Sequence, residues 1–167
     1  MERRLAAVLA ADVVGYSSLM GADEKRALSI IRRLREELFE PIVLNWRGLV
    51  VKRLGDGWLV EFPSVVDAVN CAVSVQSQLV EVSDIELRIG VHIGDIVHEE
   101  GDIYGDGVNI AARLEAKSIP GHVLVSDDVF RQISGLVDAK FHDVGPLDLK
   151  NIAVPVHAWS WPNAIEK

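Results

Sequence analysis

Six polar residues carry the chemistry available to this sequence. Asn109 and Arg113 stand four residues apart, so a helix containing them shows both on one face. Both can hydrogen-bond a phosphate or a sugar oxygen. Asp102 lies just upstream, in the run Gly101-Asp102-Ile103-Tyr104-Gly105-Asp106-Gly107. Lys52, Asp56 and Asp12 each sit beside an apolar, strand-like run. Asp12 and Asp56 suit a divalent cation, which takes oxygen ligands. Lys52 donates hydrogen bonds and Asp102 accepts them, which suits the edge of a base. Together these are the parts of a nucleotide site. Each also has a plainer reading when taken singly. Asp56 is then a hairpin-turn residue, Lys52 a solvated strand lysine and Asp102 a turn residue. Asn109 and Arg113 become an exposed helix face, with Arg113 paired to Asp106 or Glu115.

These residues need elements to position them. Residues 5–14 are almost continuously apolar and read as a buried strand ending near Asp12. Residues 24–40 read as a helix, with Ala27, Ile31, Leu34, Leu38 and Ile42 on one face and Pro41 kinking or ending it. Residues 49–54 and 58–62 flank Gly55-Asp56-Gly57 as a β-hairpin. Ser64 opens a second helix, with Asp67 as capping acid. Residues 86–97 form a long strand, 106–117 the Asn/Arg helix and 123–126 a short strand. Asp127 or Asp128 caps a short helix through residue 133. Residues 137–144 and 154–159 are closing strands. The order predicts an α+β fold, with a ferredoxin-like split β-α-β-β-α-β core, an additional helix and C-terminal strands in a mixed sheet. Helices are expected on one face. Asp12 and the Asp56 turn are expected to meet at one end of the sheet.

Composition sets limits. The 167 residues are a one-domain length, and 49% are apolar, so the chain is globular. The formal net charge is −8, which argues against long nucleic acid, a partner that needs a basic face. A single nucleotide remains open, given a divalent cation to neutralise it. Cys71 is the only cysteine, so no intrachain disulfide can form and a reducing, cytoplasmic setting fits. Arg3-Arg4 and the apolar run behind them have the outline of a minimal signal peptide, but Asp12 ends the run. No run approaches the ~20 apolar residues of a membrane span.

Three segments resemble the motifs of class III nucleotidyl cyclases. They are Ala11-Asp12-Val13-Val14-Gly15-Tyr16-Ser17, Val51-Lys52-Arg53-Leu54-Gly55-Asp56-Gly57, and Asp102-Ile103-Tyr104-Gly105 through Asn109 to Arg113. The resemblance spans roughly residues 3 to 160, so residues 1–167 are expected to be one catalytic domain. It implies that Asp12, the Val13 carbonyl and Asp56 hold two divalent cations, Mg²⁺ or Mn²⁺. It implies that the backbone N–H groups of Val14, Gly15, Tyr16 and Ser17 cradle phosphate. Asn109 would position the ribose, Arg113 would stabilise charge on the α-phosphate, and Lys150 would contact the terminal phosphates.

Lys52 and Asp102 complement adenine, which offers an acceptor at N1 and a donor at its amine. Cyclases that use GTP resemble this chain except for an acid at the Lys52 position and usually a small residue at the Asp102 position. The resemblance therefore implies an adenylate cyclase that turns ATP into 3′,5′-cyclic AMP and pyrophosphate. It also implies a homodimer, with Asp12 and Asp56 from one subunit and Lys52, Asp102, Asn109 and Arg113 from the other. A guanylate cyclase, or a silent nucleotide-binding or dimerisation module, is the alternative. A regulatory domain outside this chain is compatible with the resemblance. Many relatives carry a base at the Asp95 position to bind terminal phosphates; Asp95 is expected to repel them or to face elsewhere. His92, within an alternating strand, reads as structural.

Overall fold

The computed structural model describes residues 2–83 and 85–163; the outer limits of the expected domain, at 1 and 164–167, lie outside them. The chain runs β1 (Glu2–Val13), α1 (Tyr16–Ala22), α2 (Glu24–Leu34), α3 (Glu40–Asn45), β2 (Leu49–Arg53), β3 (Gly57–Phe62) and α4 (Val65–Val82). It continues through β4 (Leu87–Glu99), β5 (Asp102–Tyr104), α5 (Asp106–Lys117), β6 (Val123–Ser126), α6 (Asp127–Ile133), β7 (His142–Leu147) and β8 (Val156–Trp161). One sheet holds the strands in the order β2-β3-β1-β4-β6-β8-β7, with β5 on β4. The stretch β2-β3-β1-β4 is the split core expected from the sequence. The parallel β4–β6 pair makes the sheet mixed.

β1 is apolar and buried from Ala6 to Ala11 because both its faces are covered there. Ala7, Leu9, Ala11 and Val13 join the main core with α2, α3, α4 and α6. Ala6, Val8 and Ala10 point the other way, against Ala111 and Val108 of α5. This corrects the expectation of helices on one face. α5 lies alone on the second face, and the seat is made by glycine. A Cβ on Gly90 would fall 2.4 Å from the Glu115 backbone nitrogen and 2.8 Å from the Ala111 carbonyl oxygen. Helix and strand touch there backbone to backbone.

The helix expected over 24–40 is longer and irregular. A π-helical turn, Arg35–Phe39, links α2 to α3, and Pro41 falls in the first turn of α3. A proline in a continuous α-helix would clash with the carbonyl four residues back; the wider turn removes that clash. α4 begins as expected, with the Ser64 hydroxyl accepting from the Asp67 N–H. α6 is capped by Ser126, not by Asp127 or Asp128. Asp127 instead accepts from Trp159 Nε1 at 3.0 Å and pairs with Arg131 at 2.8 Å. The closing strands sit a few residues later than expected, and α1 and β5 were not expected.

Gly90→Ala tests the seat of α5. Overpacking against backbone should cost about 1–3 kcal/mol and lower the melting temperature. Gly21→Ala, where a Cβ meets nothing within 4 Å, should be neutral or gain up to about 1 kcal/mol in thermal denaturation.

Candidate active site

The acid end of the site forms where β1 meets the hairpin. Asp12 lies opposite Gly57 of β3 and Arg88 of β4. The Val13 N–H donates to the Asp56 carbonyl at 2.7 Å, tying the turn to the end of β1. A Cβ on Gly57 would sit 2.4 Å from the Ala11 carbonyl oxygen, so the close approach needs glycine. Asp12, Val13 and Asp56 are thus brought together. Asp12 Oδ1 is buried and has no hydrogen-bond partner among the described residues. An orphaned buried oxygen costs roughly 1–3 kcal/mol, so it suits a cation ligand. Among the described residues no three His, Cys, Asp or Glu are placed to hold a metal by themselves. The donor set fits a cation such as Mg²⁺, which takes one or two carboxylates and completes its shell with substrate oxygens and water.

Two neighbours were not read from the sequence. Arg88 is the cross-strand partner of Asp12, and Glu115 reaches the same place from α5. Burial pushes the Glu115 carboxyl up to about 8, helped by the charge of Asp12 and a shared hydrogen bond. The Asp12 carboxyl is also raised, mainly by burial, while Glu115 and Arg88 oppose the rise. Alternation in residues 86–97 puts Arg88 on the same side as Gly90 and His92, but only the register reveals what stands opposite.

Asp95 faces elsewhere, the second of the two outcomes expected for it. It pairs with Leu5 at the far end of β4, and its side chain is on the opposite face from Arg88. Arg88 supplies the positive charge beside the acids. His92 is structural as expected. It is buried, its Nδ1 lies 2.7 Å from Ser126 Oγ, and burial lowers its pKa.

Lys52 and Asp102 meet directly, with Lys52 Nζ 3.3 Å from Asp102 Oδ2. A β-bulge makes this possible. Val50 pairs with Val60, but Lys52 pairs with Leu59 and Arg53 with Trp58, so Val51 is an extra residue. The bulge turns Lys52 to the α5 side of the sheet. Arg53 then falls on the other side, where it donates to Glu40 at 2.7 and 2.8 Å. Asp102 Oδ1 accepts from the Ile103 N–H at 2.8 Å. That bond is the main cause holding the Asp102 carboxyl below its ordinary range, against burial. Lys52 adds to it.

Asn109 and Arg113 look away from their own acids. α5 buries Gly107, Ala111 and Leu114, and Glu115 follows Ala111 on that inner side. At ~100° per residue, Arg113 stands about 200° around the helix from Glu115. Neither Asn109 nor Arg113 makes a side-chain hydrogen bond or ion pair among the described residues, so the pairing of Arg113 with Asp106 or Glu115 is not formed. Gly15, at φ 72°, turns the chain into α1, whose first bond runs from Leu19 N–H to the Gly15 carbonyl. The N–H groups of Gly15, Tyr16 and Ser17 precede it. The Val14 N–H instead donates to the Glu86 carbonyl at 2.9 Å, so it cannot join a phosphate cradle in this arrangement. Lys150 is exposed, next to Leu149, which is buried against Leu114 of α5.

Residues 3–158 match the family described as the adenylate and guanylate cyclase catalytic domain. This chain belongs to that family. A Rhizobium meliloti protein named "Putative adenylate cyclase 3" is 48% identical over 96% of this chain. A Streptomyces coelicolor adenylate cyclase is 32% identical over 75% of it. The chain spans 29% and 33% of the lengths of these two relatives. A crystal structure of an adenylate/guanylate cyclase/hydrolase from Silicibacter pomeroyi is similar with a TM-score of 0.90 and 43% identity, covering 96% of this chain and 97% of that one.

The acid cluster of this cyclase domain predicts a pH dependence. A carboxyl raised on folding binds its proton more tightly in the folded state. Its stabilisation is therefore present below the unfolded pKa near 4.5 and is lost as pH rises through about 8. Glu115→Gln should remove that slope. In chelator-treated protein the variant should be more stable than the parent at pH 8, by on the order of 1–2 kcal/mol after solvent screening, and the gap should close toward pH 5. Urea titrations at the two pH values measure it.

Proposed function

We propose that this chain is an adenylate cyclase domain, converting ATP to 3′,5′-cyclic AMP and pyrophosphate at sites shared between two copies. The observation that carries the shared site is the division of α5. Glu115 turns inward to the chain's own Asp12, while Asn109 and Arg113 turn outward with no partner among the described residues. A single chain cannot aim Arg113 at a nucleotide held on its own Asp12 and Asp56 without unseating α5 from Gly90. A second copy can offer its Asn109 and Arg113 to that nucleotide.

Choice of ATP is supported by the Lys52–Asp102 pair and by relatives that bear the name adenylate cyclase. Lys52 donates toward N1 of adenine and Asp102 accepts from its amine. Asp12, the Val13 carbonyl and Asp56 would hold two divalent cations, Mg²⁺ or Mn²⁺. Bound there, the cations would activate the ribose 3′-OH and neutralise the pyrophosphate. Asn109 orients the ribose for in-line attack on the α-phosphorus. Arg113 places fixed positive charge where charge develops on the α-phosphate. Arg88 and Lys150 offset the terminal phosphates, and the N–H groups of Gly15, Tyr16 and Ser17 donate to phosphate oxygens. Residues 1–167 act as one catalytic unit. No helix among the described residues is long and apolar enough to cross a membrane, which agrees with a cytoplasmic enzyme. The longer relatives leave room for a regulatory domain beside it.

The purified chain, supplied with Mn²⁺ or Mg²⁺ and either ATP or GTP, should release cyclic AMP and pyrophosphate from ATP. Cyclic GMP as the main product would make it a guanylate cyclase, and no product with either nucleotide would make it a silent module. Asp12→Ala and Arg113→Ala chains should each be inactive. Mixed in equal amounts, they should recover roughly a quarter of the parent activity, because half the dimers are mixed and each has one whole site. Differently tagged chains verify exchange. Confirmed exchange without recovered activity refutes the shared site.

A further inference from the structure

We propose that Glu61 and His98 are positioning residues for nucleotide reading. Their hydrogen bond holds the end of β4, with β5 and Asp102 on it, against the β2–β3 hairpin that carries Lys52. The inference rests on the base-reading role of Lys52 and Asp102 proposed above.

The strand register puts the two residues far apart. Glu61 stands opposite Val8 of β1, while His98 stands opposite Glu2. Those places are six residues apart, about 20 Å along a flat strand. Yet His98 Nε2 lies 2.7 and 2.8 Å from the two Glu61 carboxylate oxygens. The sheet therefore curls toward its α5 side, to which both side chains point, and brings the end of β4 back toward the hairpin. Ladder hydrogen bonds do not hold this closure. β1 pairs with β3 only from Ala7 to Asp12, and among the described residues β5 pairs only with β4. Two side-chain bridges join the hairpin to the β4–β5 arm among the described residues, Glu61–His98 and Lys52–Asp102.

The two bridges differ in what they are free to do. The Lys52–Asp102 bond is 3.3 Å long, and the Lys52 side chain is 49% exposed. A base that accepts from Lys52 and donates to Asp102 competes with that bond. Glu61–His98 faces no such competitor. Glu61 is 5% exposed, and Arg4 of β1 donates to it from Nε at 3.1 Å and from Nη2 at 2.8 and 3.0 Å. Arg4 Nη2 also lies 2.8 Å from His98 Nε2. A carboxylate can only accept, so the Nε2 proton goes to Glu61 and the Arg4 protons follow it there. One buried carboxylate is thus held from β1 and from β4 at once. A buried ion pair is often no gain over apolar side chains of similar size, and Leu59, Ile96 and Ile103 already make this face apolar. Stability is a weak reason for charge here, and register is a better one. His98 precedes Glu99, which pairs with Asp102, and Glu61 stands two residues from Leu59, which pairs with Lys52. Closing the first bridge sets the span of the second.

The test measures kcat and KM for ATP and for GTP, with Mn²⁺, in the parent and in Glu61→Leu, His98→Leu, His98→Gln and Asp102→Asn. Both leucine variants should raise KM for ATP and lower the ATP-to-GTP ratio of kcat/KM, each about tenfold, with kcat for ATP changed less than about twofold. His98→Gln keeps a donor for Glu61 and should stay within about threefold of the parent. Glu61→Leu combined with His98→Leu should be no worse than either alone, because both remove one bridge. Backbone hydrogen exchange over residues 102–104, which reads the closure without turnover, should quicken in the leucine variants and not in His98→Gln. An unchanged KM for ATP overturns the inference. So do equal losses with the two nucleotides alongside a lowered melting temperature, which mark a merely structural role. Asp102→Asn separates the two failures. If it shifts the ratio and the leucine variants do not, only the role of Glu61 and His98 falls. If it leaves the ratio unchanged, the base-reading pair falls and takes this inference with it.

Discussion

Backbone touching backbone at Gly90 sets the height of α5 above the sheet, and the site depends on that height. Any side chain there would meet the Glu115 nitrogen and the Ala111 carbonyl before α5 could reach its seat. The partner of Gly90 across the sheet is Ala10, another small residue. Two small residues side by side let the helix lie low, so Glu115 arrives level with Asp12 and Arg88. The same seat fixes the rotation of α5. Ala111 and Leu114 occupy the inner stripe, and Asn109 and Arg113 are left outside. One packing contact thus decides which groups of α5 face the chain's own acids and which face away from them.

Charge at the acid end follows from burial more than from pairing. Asp12, Asp56 and Glu115 converge with Arg88 as the nearby cation named for them. Desolvation is the largest cause raising both Asp12 and Glu115, and Arg88 opposes it without cancelling it. A carboxyl group in that position binds a proton more readily than water-exposed carboxyls do. The orphaned Asp12 oxygen adds an uncompensated acceptor. Both features favour a positive charge arriving from outside the chain. The net charge of −8 points the same way for the whole molecule.

Much of the fold was legible because the signals were local. Asp106–Lys117 and Val123–Ser126 fall where periodicity put them, and Ser64 caps α4 through the Asp67 N–H as its spacing suggested. The meeting of Asp12 with the Asp56 turn followed from the split β-α-β-β-α-β order alone. What was not legible depends on register and on faces. Arg88 and Glu115 look like ordinary strand and helix residues until the β1–β4 pairing and the Gly90 seat bring them to Asp12. Asp95, read only as a residue that could repel terminal phosphates or face elsewhere, stands on the opposite face from Arg88. The engaged Val14 N–H, the π-turn ahead of Pro41 and the Ser126 cap depend on hydrogen-bond choices that several nearby residues could have made.

The bulge at Val51 shows how a single residue can separate scaffold from site. Side chains alternate with period two along a strand, so one inserted residue exchanges the faces of everything beyond it. Without Val51 as the extra residue, Lys52 would stand opposite Trp58 and point into the side covered by α3 and α4. With it, Lys52 crosses to Asp102, and Arg53 takes the inner position and pairs with Glu40. Two adjacent basic residues thereby do different work. Arg53 ties the edge strand to α3, which steadies the hairpin whose turn presents Asp56. Lys52 stays half exposed beside Asp102. Asp102, its partner, is held in turn by the Ile103 N–H of its own short strand.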